Sequence, residues 1–343
     1  MYRGAMVGAG YWSERQLAAW EKVEKAKIVA LCDLDEPRLD ARASQFGIKR
    51  TYIDARTMIT NEKLDFLDIV TRPSSHRELV KLAASQGLHI LCQKSLGATM
   101  SDCKYMVAKC NQEGVRLMVN DQWRWQGWFI KVKELLDLGE IGEPFLAQMQ
   151  HASRATIPQF IDHGQSYFRE MEQLIIFEFG VHCLDMARFL FGETNNIYAL
   201  TRQMGKVSGE DVALIVARFE NTIFVLKETW AAVPVPELEL PQDLNTSNVM
   251  EGNFHIQGTR GSAIIRPNGQ VDLYTDEENR SWVYPENAFQ KSIEAAQTHF
   301  IRCLMSGAPF LTEGEDYIKT MALVFAAYKS ASTGEIVNPH EFL

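Results

Sequence analysis

The feature that most constrains this chain is a strict alternation of apolar runs and amphipathic helices through its first third. "GAMVGAGYWSERQLAAWEK" passes from a short strand through Gly8-Ala-Gly10 into a helix, and "AKIVALCDLD" is a second strand ending at Asp33. "LDFLDIVTRPSSH" is a strand that ends in a loop at Thr71 to Ser75, and "RELVKLAASQG" is a helix stopped by Gly87. "LHILCQKSLGATMS", "DCKYMVAKCNQEG" and "VRLMVNDQW" repeat the order strand, helix, strand. This repetition predicts an α/β fold whose first part is a doubly wound parallel sheet.

The first turn carries chemistry. Its pattern is G-x-G-x-x-S, with Ser13 where a third glycine or alanine usually sits. Gly8 allows the tight turn, and Gly10 lets the backbone approach a pyrophosphate seated on a helix N-terminus. Asp33, at the end of the second strand, is placed to accept bonds from the adenosine ribose hydroxyls. An acid there also repels a 2′-phosphate, so NAD is the expected cofactor rather than NADP. The competing reading makes Asp33 a helix cap ahead of Pro37. Ligands of such sheets bind beyond the carboxyl ends of the strands. Asp33, the Thr71–His76 loop, Lys94 and the Asn120–Arg124 segment all fall there. The expected cofactor contacts are Gly8, Gly10, Tyr11, Trp12, Asp33, Thr71, Pro73, His76, Gln93, Lys94 and Gln122. His76 reads equally well as a first-turn residue near the surface.

From about Trp123 the organisation changes. "WFIKVKELLDLGEIGEP" is an amphipathic helix ended by Gly139 and Gly142, followed by the strand "FLAQMQHASRA". Further on, "NIYALTRQMG", "DVALIVARFE", "TIFVLKETWAA" and "MEGNFHIQGTRGSAIIRPNGQVDLYTD" are strands with little helix between them, and Pro267-Asn268-Gly269 is a hairpin turn signal. The second part is therefore expected to be an α/β domain with an open, mostly antiparallel sheet. Residues 155 to 175 read as an irregular loop, and residues 233 to 248 as a proline-rich flap or oligomer arm. The expected boundaries are 1–122 for a dinucleotide-binding domain and 123–343 for a substrate-binding and oligomerisation domain. The closing helices can pack back on the first domain.

The formal net charge of −9 argues against nucleic acid or an anionic membrane as the main partner. No apolar run is long enough to span a bilayer, and the first residues enter a strand directly, so a cytoplasmic location is expected. The six cysteines form no C-x-x-C pair, which suits reduced, buried thiols, and no metal is expected.

"FEFGVHCLDMARFLFG", residues 177 to 192, is apolar yet contains Glu178, His182 and Asp185. Charged groups are costly to bury unless paired or used. On a helix the spacing i, i+4, i+7 falls within about 60° of arc. A satisfied structural histidine, a metal site and an acid–base site all fit this stripe. NAD chemistry on an alcohol needs one base, which favours the third, and Lys94 would then stabilise the developing alkoxide.

These motifs resemble the Gfo/Idh/MocA family of nicotinamide-dependent sugar and polyol oxidoreductases, over nearly the whole length. The likeness rests on "VGAGYWS", "TRPSSHRELVKLAASQGLHILCQKSLG", "LGEIGEP", "FEFGVHCLDMARFLFGE", "IQGTRGSAII" and "YIKTMALVFAAYKSASTGE". The family's E-K-P reads Gln93-Lys94-Ser95 here, and its D-x-x-x-H followed by D reads Glu178, His182, Asp185. The resemblance implies His182 as general base, Lys94 as its partner, Glu178 orienting one of them, and Asp185 on substrate or supporting the histidine. It implies a Rossmann domain, a second domain with an open sheet, and homodimers or homotetramers formed through that sheet. The departures leave open a nucleotide-binding regulator and an NAD-dependent glycosidase as alternatives. "NDQWRWQGWF" is similar to a subgroup oxidising aldoses such as the pentose apiose. Trp123 and Arg124 would contact such a substrate, with Arg154 a further candidate. Trp125 and Trp128 read equally as packing.

Overall fold

The computed structural model describes residues 1–153, 155–156, 165–231 and 253–343. Arg154, residues 157–164 of the irregular loop and the whole proline-rich segment 233–248 lie outside the described residues. The chain divides into two compact units, one of residues 1–122 with 290–321, the other of residues 123–289 with 322–343.

The first unit is built on six strands: β1 (Tyr2–Val7), β2 (Ala26–Cys32), β3 (Thr51–Tyr52), β4 (Phe66–Ile69), β5 (His89–Gln93) and β6 (Leu117–Asn120). They pair in the order β3-β2-β1-β4-β5-β6, every pair parallel. The crossovers are helices α1 (Ser13–Trp20), α2 (Glu36–Gln45), α3 (Ala55–Asn61), α4 (Pro73–Ala84) and α5 (Met100–Glu113). Strands covered on both faces read as continuous apolar runs, and β4 is buried at all four positions. The helix starts are written in side chains: Asp35, Asp54 and Thr99 accept the N–H groups of Arg38, Thr57 and Asp102. Gly114 ends α5 in the left-handed conformation. Strand β3 and helix α3 had no counterpart in the sequence reading. A two-residue strand with exposed positions carries no periodic apolar signal.

Phe66 is the centre of this core. Trp20 lies against it at 5.0 Å and Phe300, from the C-terminal part of the unit, at 5.5 Å. Two residues along β4, on the same face, Asp68 is fully buried and accepts a 2.6 Å bond from Trp20 Nε1. Burial pushes its carboxyl up to about 7, against the pull of that bond.

The second unit holds an eight-stranded sheet in the order β14-β13-β12-β11-β7-β10-β9-β8. The strands are β7 (Pro144–Ala152), β8 (Thr194–Arg202), β9 (Val212–Phe219), β10 (Thr222–Thr229), β11 (Asn253–Gly258), β12 (Gly261–Ile265), β13 (Val271–Thr275) and β14 (Asn279–Trp282). All pairs are antiparallel except β7 with β10. The Pro267–Gly269 signal is the turn between β12 and β13, with Gly269 at φ +80°. Alternation is clean. Ala147, Met149, Ile215, Phe224, Leu226, Phe254 and Ile256 are buried on one face, which helices α6 (Gly127–Asp137) and α7 (Val181–Phe191) help to cover. On the other face Leu200 pairs with Leu214 and Ile223 with Leu146; Leu200, Leu214 and Ile223 are exposed. The chain closes with α8 (Ala288–Ser306) and α9 (Gly314–Thr333). Among the described residues no helix is long and apolar enough to cross a membrane.

Asp68 makes stability depend on pH. Its folded-state value lies above its ordinary one, so the contribution is complete below about pH 4 and is lost as pH rises through about 7. Asp68→Asn should therefore leave stability almost unchanged at pH 4 and raise it on the order of 4 kcal/mol at pH 8, from three units at ~1.4 kcal/mol each. Urea midpoints of both proteins at the two pH values check this. A constant offset between them would mean that Asp68 is already ionised in the fold.

Candidate active site

In the first unit the glycine turn is dictated by crowding. Gly8 has φ +109°, and a Cβ there would sit 2.1 Å from the carbonyl oxygen of Val70 on β4's exit. No side chain fits. Gly10 is different: nothing lies within 4 Å of a Cβ built on it, so its surroundings are open. Ser13 takes the place of a third glycine, is fully buried, and its Oγ donates to Gly10 O at 2.6 Å. It fastens the turn to the first residue of α1. Tyr11 is exposed and Trp12 half-buried, both beneath the Arg15 guanidinium at 5.9 and 5.6 Å.

Asp33 closes the same turn. Its Oδ2 accepts from Ala9 N at 2.6 Å, and its Oδ1 from Asp35 N at 2.9 Å. The cap of α2 is Asp35, not Asp33. Asp33 is thus held beside the glycines with part of its surface open.

Pro73 is the first residue of α4, and Thr71 Oγ1 accepts from Ser75 Oγ at 2.7 Å. His76 requires a correction. It is fully buried, neither a surface residue nor open to a ligand. Its Nδ1 lies 2.9 Å from Leu96 O and its Nε2 3.0 Å from Thr71 O, so the imidazole ties the loop after β4 to the segment after Lys94. Gln93 and Asn120 are register partners at the carboxyl ends of β5 and β6. Both are buried. Gln93 Nε2 and both amide atoms of Asn120 have no hydrogen-bond partner among the described residues. Buried groups left in this way cost about 1–3 kcal/mol each unless something supplies the missing bond. Lys94 follows Gln93 at the strand exit, and Gln122 opens a 3₁₀ turn, Gln122–Trp125. A turn with no room for a side chain, an open Gly10, a fixed acid and unmet amides at the strand ends together fit a dinucleotide.

In the second unit the expected helical stripe is interrupted. Ile176–Gly180 is a π turn that runs into α7. Such bulges cluster at functional sites. Glu178 lies in this turn, half-buried, whereas His182 lies in α7 at 8% exposure. The entry to this turn is held by a group that sequence reasoning missed. Glu210 accepts from Leu174 N at 3.1 Å and Ile176 N at 3.2 Å, and Tyr328 OH donates to Glu210 at 2.6 Å. Burial pushes both Glu210 and Tyr328 upward in pKa.

The His182 ring lies parallel to the Trp123 indole, 4.9 Å between centroids and 4° between planes. Phe179 stands edge-on to Trp123 at 5.4 Å, and His151 stacks on Phe179 at 3.9 Å. Trp230 Nε1 donates to His151 Nε2 at 3.0 Å. His151 and Trp230 were also missed, since a histidine inside a strand and a tryptophan at a strand end carry no motif.

Asp185 is the second correction. It is fully buried, and its two oxygens accept from Arg124 Nη2 at 2.7 Å and Nε at 2.8 Å. This fork-to-fork pair engages Asp185 with Arg124 rather than with substrate, which leaves Asp185 its other expected part, supporting the histidine. They anchor the 3₁₀ turn to α7 instead, and Trp123 beside Arg124 is thereby set over His182. Trp128 is fully buried packing. Arg154, expected on substrate, lies outside the described residues.

Residues 2–121 match the oxidoreductase family with an NAD-binding Rossmann fold, and residues 129–264 match the GFO/IDH/MocA C-terminal domain. The chain is 38% identical to D-apiose dehydrogenase of Paraburkholderia graminis over 98% of its own length and 89% of that protein. It is 35% identical to D-apiose dehydrogenase of Rhizobium rhizogenes, over 98% and 97%. A crystal structure of an oxidoreductase from Agrobacterium radiobacter, in complex with NAD+, L-tartaric acid and magnesium, matches with a TM-score of 0.90 at 34% identity, covering 100% of this chain and 99% of that one.

The buried ion pair gives a sharp expectation. Arg124→Ala takes the bidentate partner from the fully buried Asp185, and should cost about 3–5 kcal/mol in urea unfolding. Arg124→Met with Asp185→Leu removes both charges and should recover most of that loss. Equal destabilisation by the single and double variants would show that the charge pair is not what matters there.

Proposed function

The chain belongs to the Gfo/Idh/MocA oxidoreductase family, and on that premise we propose that it is an NAD-dependent dehydrogenase oxidising a hydroxyl of a small aldose or polyol, an apiose-like pentose first among them. The observation that carries the reading is the parallel stack of His182 on Trp123. It offers a proton acceptor whose plane is fixed by a buried indole, itself stacked on Phe129 at 5.5 Å, so Trp123 serves the imidazole and not the sugar ring expected of it. The near full-length likeness to two D-apiose dehydrogenases supports the choice of substrate class.

The roles follow from the side chains. A neutral imidazole takes a proton from an alcohol near neutral pH, which is the part given to His182. Trp123 holds that ring in orientation. The Lys94 ammonium steadies the negative charge that develops on the alcohol oxygen. Glu178, in the π turn four residues before His182, orients the base or the lysine. The Gly8–Gly10 turn and Asp33 hold the adenosine and pyrophosphate end of the cofactor. Tyr11, Trp12, Thr71 and Pro73 flank that end, and Gln93, Lys94 and Gln122 take the other. NAD, when bound, supplies the hydride acceptor at C4 of its nicotinamide ring. His76 and Asp185 are left out of the contact set on the grounds given above.

The open face of the eight-stranded sheet supports assembly into a homodimer or homotetramer. Leu200 with Leu214 and Ile223 with Leu146 are two apolar pairs on that face, set apart by Arg218 and Lys227, that a second copy would cover. A cytoplasmic location is in keeping with the six cysteines, all buried and none in a disulfide.

The test is NADH formation at 340 nm across aldoses, apiose among them, and polyols. Turnover should appear with NAD, and His182→Ala and Lys94→Ala should each lower kcat about 10²- to 10⁴-fold. Full activity in either variant would remove that residue from the mechanism. NAD binding in calorimetry without turnover of any sugar would remove the dehydrogenase reading. For assembly, Leu214→Asp should shift sedimentation toward the monomer, and an unchanged profile would clear this face of the role.

A further inference from the structure

We propose that Glu14 is a specificity residue for the cofactor: by pairing with Arg42 at the edge of the glycine turn, it withholds that guanidinium from the 2′-phosphate of NADP. The inference rests on the reading of Asp33 as the acid that meets the adenosine ribose.

Two opposite charges are tied to consecutive residues of one turn. The Asp33 carboxylate accepts from Ala9 N at 2.6 Å. The Arg42 guanidinium reaches the next residue, its Nη2 lying 3.4 Å from Gly10 O. Asp33 alone repels a phosphate on the ribose hydroxyl it faces. Arg42 alone would attract one, because a guanidinium near this position is how Rossmann folds accept a 2′-phosphate, and its fork suits phosphate oxygens. The sequence reading weighed only the acid.

Arg42 is not left available. Its Nη1 lies 2.9 Å from Glu14 Oε2 and donates to Gln45 Oε1 at 2.6 Å, while Gln45 Nε2 donates to Glu14 Oε1 at 2.9 Å. The three side chains close a triangle between the first turn of α1 and the last turn of α2. The Arg42 side chain is 15% exposed and that of Glu14 54%, so the cation is held in and the anion stands on the solvent side. A phosphate arriving at this turn meets two carboxylates and a guanidinium already neutralised. Glu14 touches neither Ala9 nor Asp33 in any hydrogen bond described for it; its effect runs through Arg42.

Glu14→Gln keeps the shape and a bond to Gln45 but removes the charge. NADP and NAD affinities are measured by calorimetry, which reads binding without turnover. The expected result is an NADP Kd that falls about three- to tenfold at low salt, with the NAD Kd within about twofold, the gain shrinking at high salt as an ion-pair effect must. Adding Arg42→Ala or, to keep a hydrogen-bonding side chain, Arg42→Gln should abolish the gain. An NADP Kd unchanged in Glu14→Gln, or a gain that survives loss of Arg42, overturns the proposal while leaving the NAD assignment standing. A wild-type chain that takes up neither nucleotide overturns both. NADP gained only in Asp33→Ser, and no further in Asp33→Ser with Glu14→Gln, confirms Asp33 and overturns the role of Glu14.

Discussion

Two opposite charges with almost no access to water hold the second unit's chemistry together. Arg124 and Asp185 meet through a double hydrogen bond, at 6% and 0% exposure. Removing two ions from water is expensive, and only near-ideal geometry and further bonds offset it. The pair therefore contributes less to net stability than to uniqueness. It admits one placement of the Gln122–Trp125 turn against α7. With that placement set, Trp123 has one position for its indole, and the imidazole below it has one plane. The Glu210–Tyr328 pair performs a similar service at the entry to the π turn that carries Glu178, accepting from Leu174 N and Ile176 N.

Much of this was legible in the residues, and the reasons differ by unit. Parallel strands buried on both faces read as unbroken apolar runs, so β1, β2, β4, β5 and β6 stand out, and glycines mark the turn between β1 and α1. The hairpin at Asn268-Gly269 announces itself by turn chemistry. Less visible were the long-range polar partnerships. Nothing in the neighbourhood of Asp185 says that Arg124 will neutralise it, because they are brought together by tertiary packing alone. His76 is the same case in reverse: its place after two serines suggested exposure, yet two carbonyls from separate segments enclose it. The π turn was hidden because an inserted residue leaves the apolar run intact while changing where Glu178 faces.

The departures from the family pattern gain a physical setting. Gln93 is neutral where the family carries an acid, and its register partner Asn120 is neutral too. The ends of β5 and β6 thus present amides, which both donate and accept. Amides hold a polar ligand by direction more than by charge, so this part of the site is insensitive to pH where a carboxylate would not be.

One feature of the first unit bears on how the chain reaches this structure at all. The unit is discontinuous, residues 1–122 being completed by 290–321. Phe300 packs on Phe66, Thr312 and Tyr317 bond to Val119 and Asp121, and Arg116 pairs with Glu313. During synthesis the six parallel strands emerge long before these partners exist. The sheet must wait, with Phe66 covered by Trp20 but not yet by Phe300, while residues 123–289 are made. The N-terminal half is then an unfinished body that depends on its own C-terminus to close, and a chain broken off before α8 would expose apolar surface rather than fold as a smaller domain.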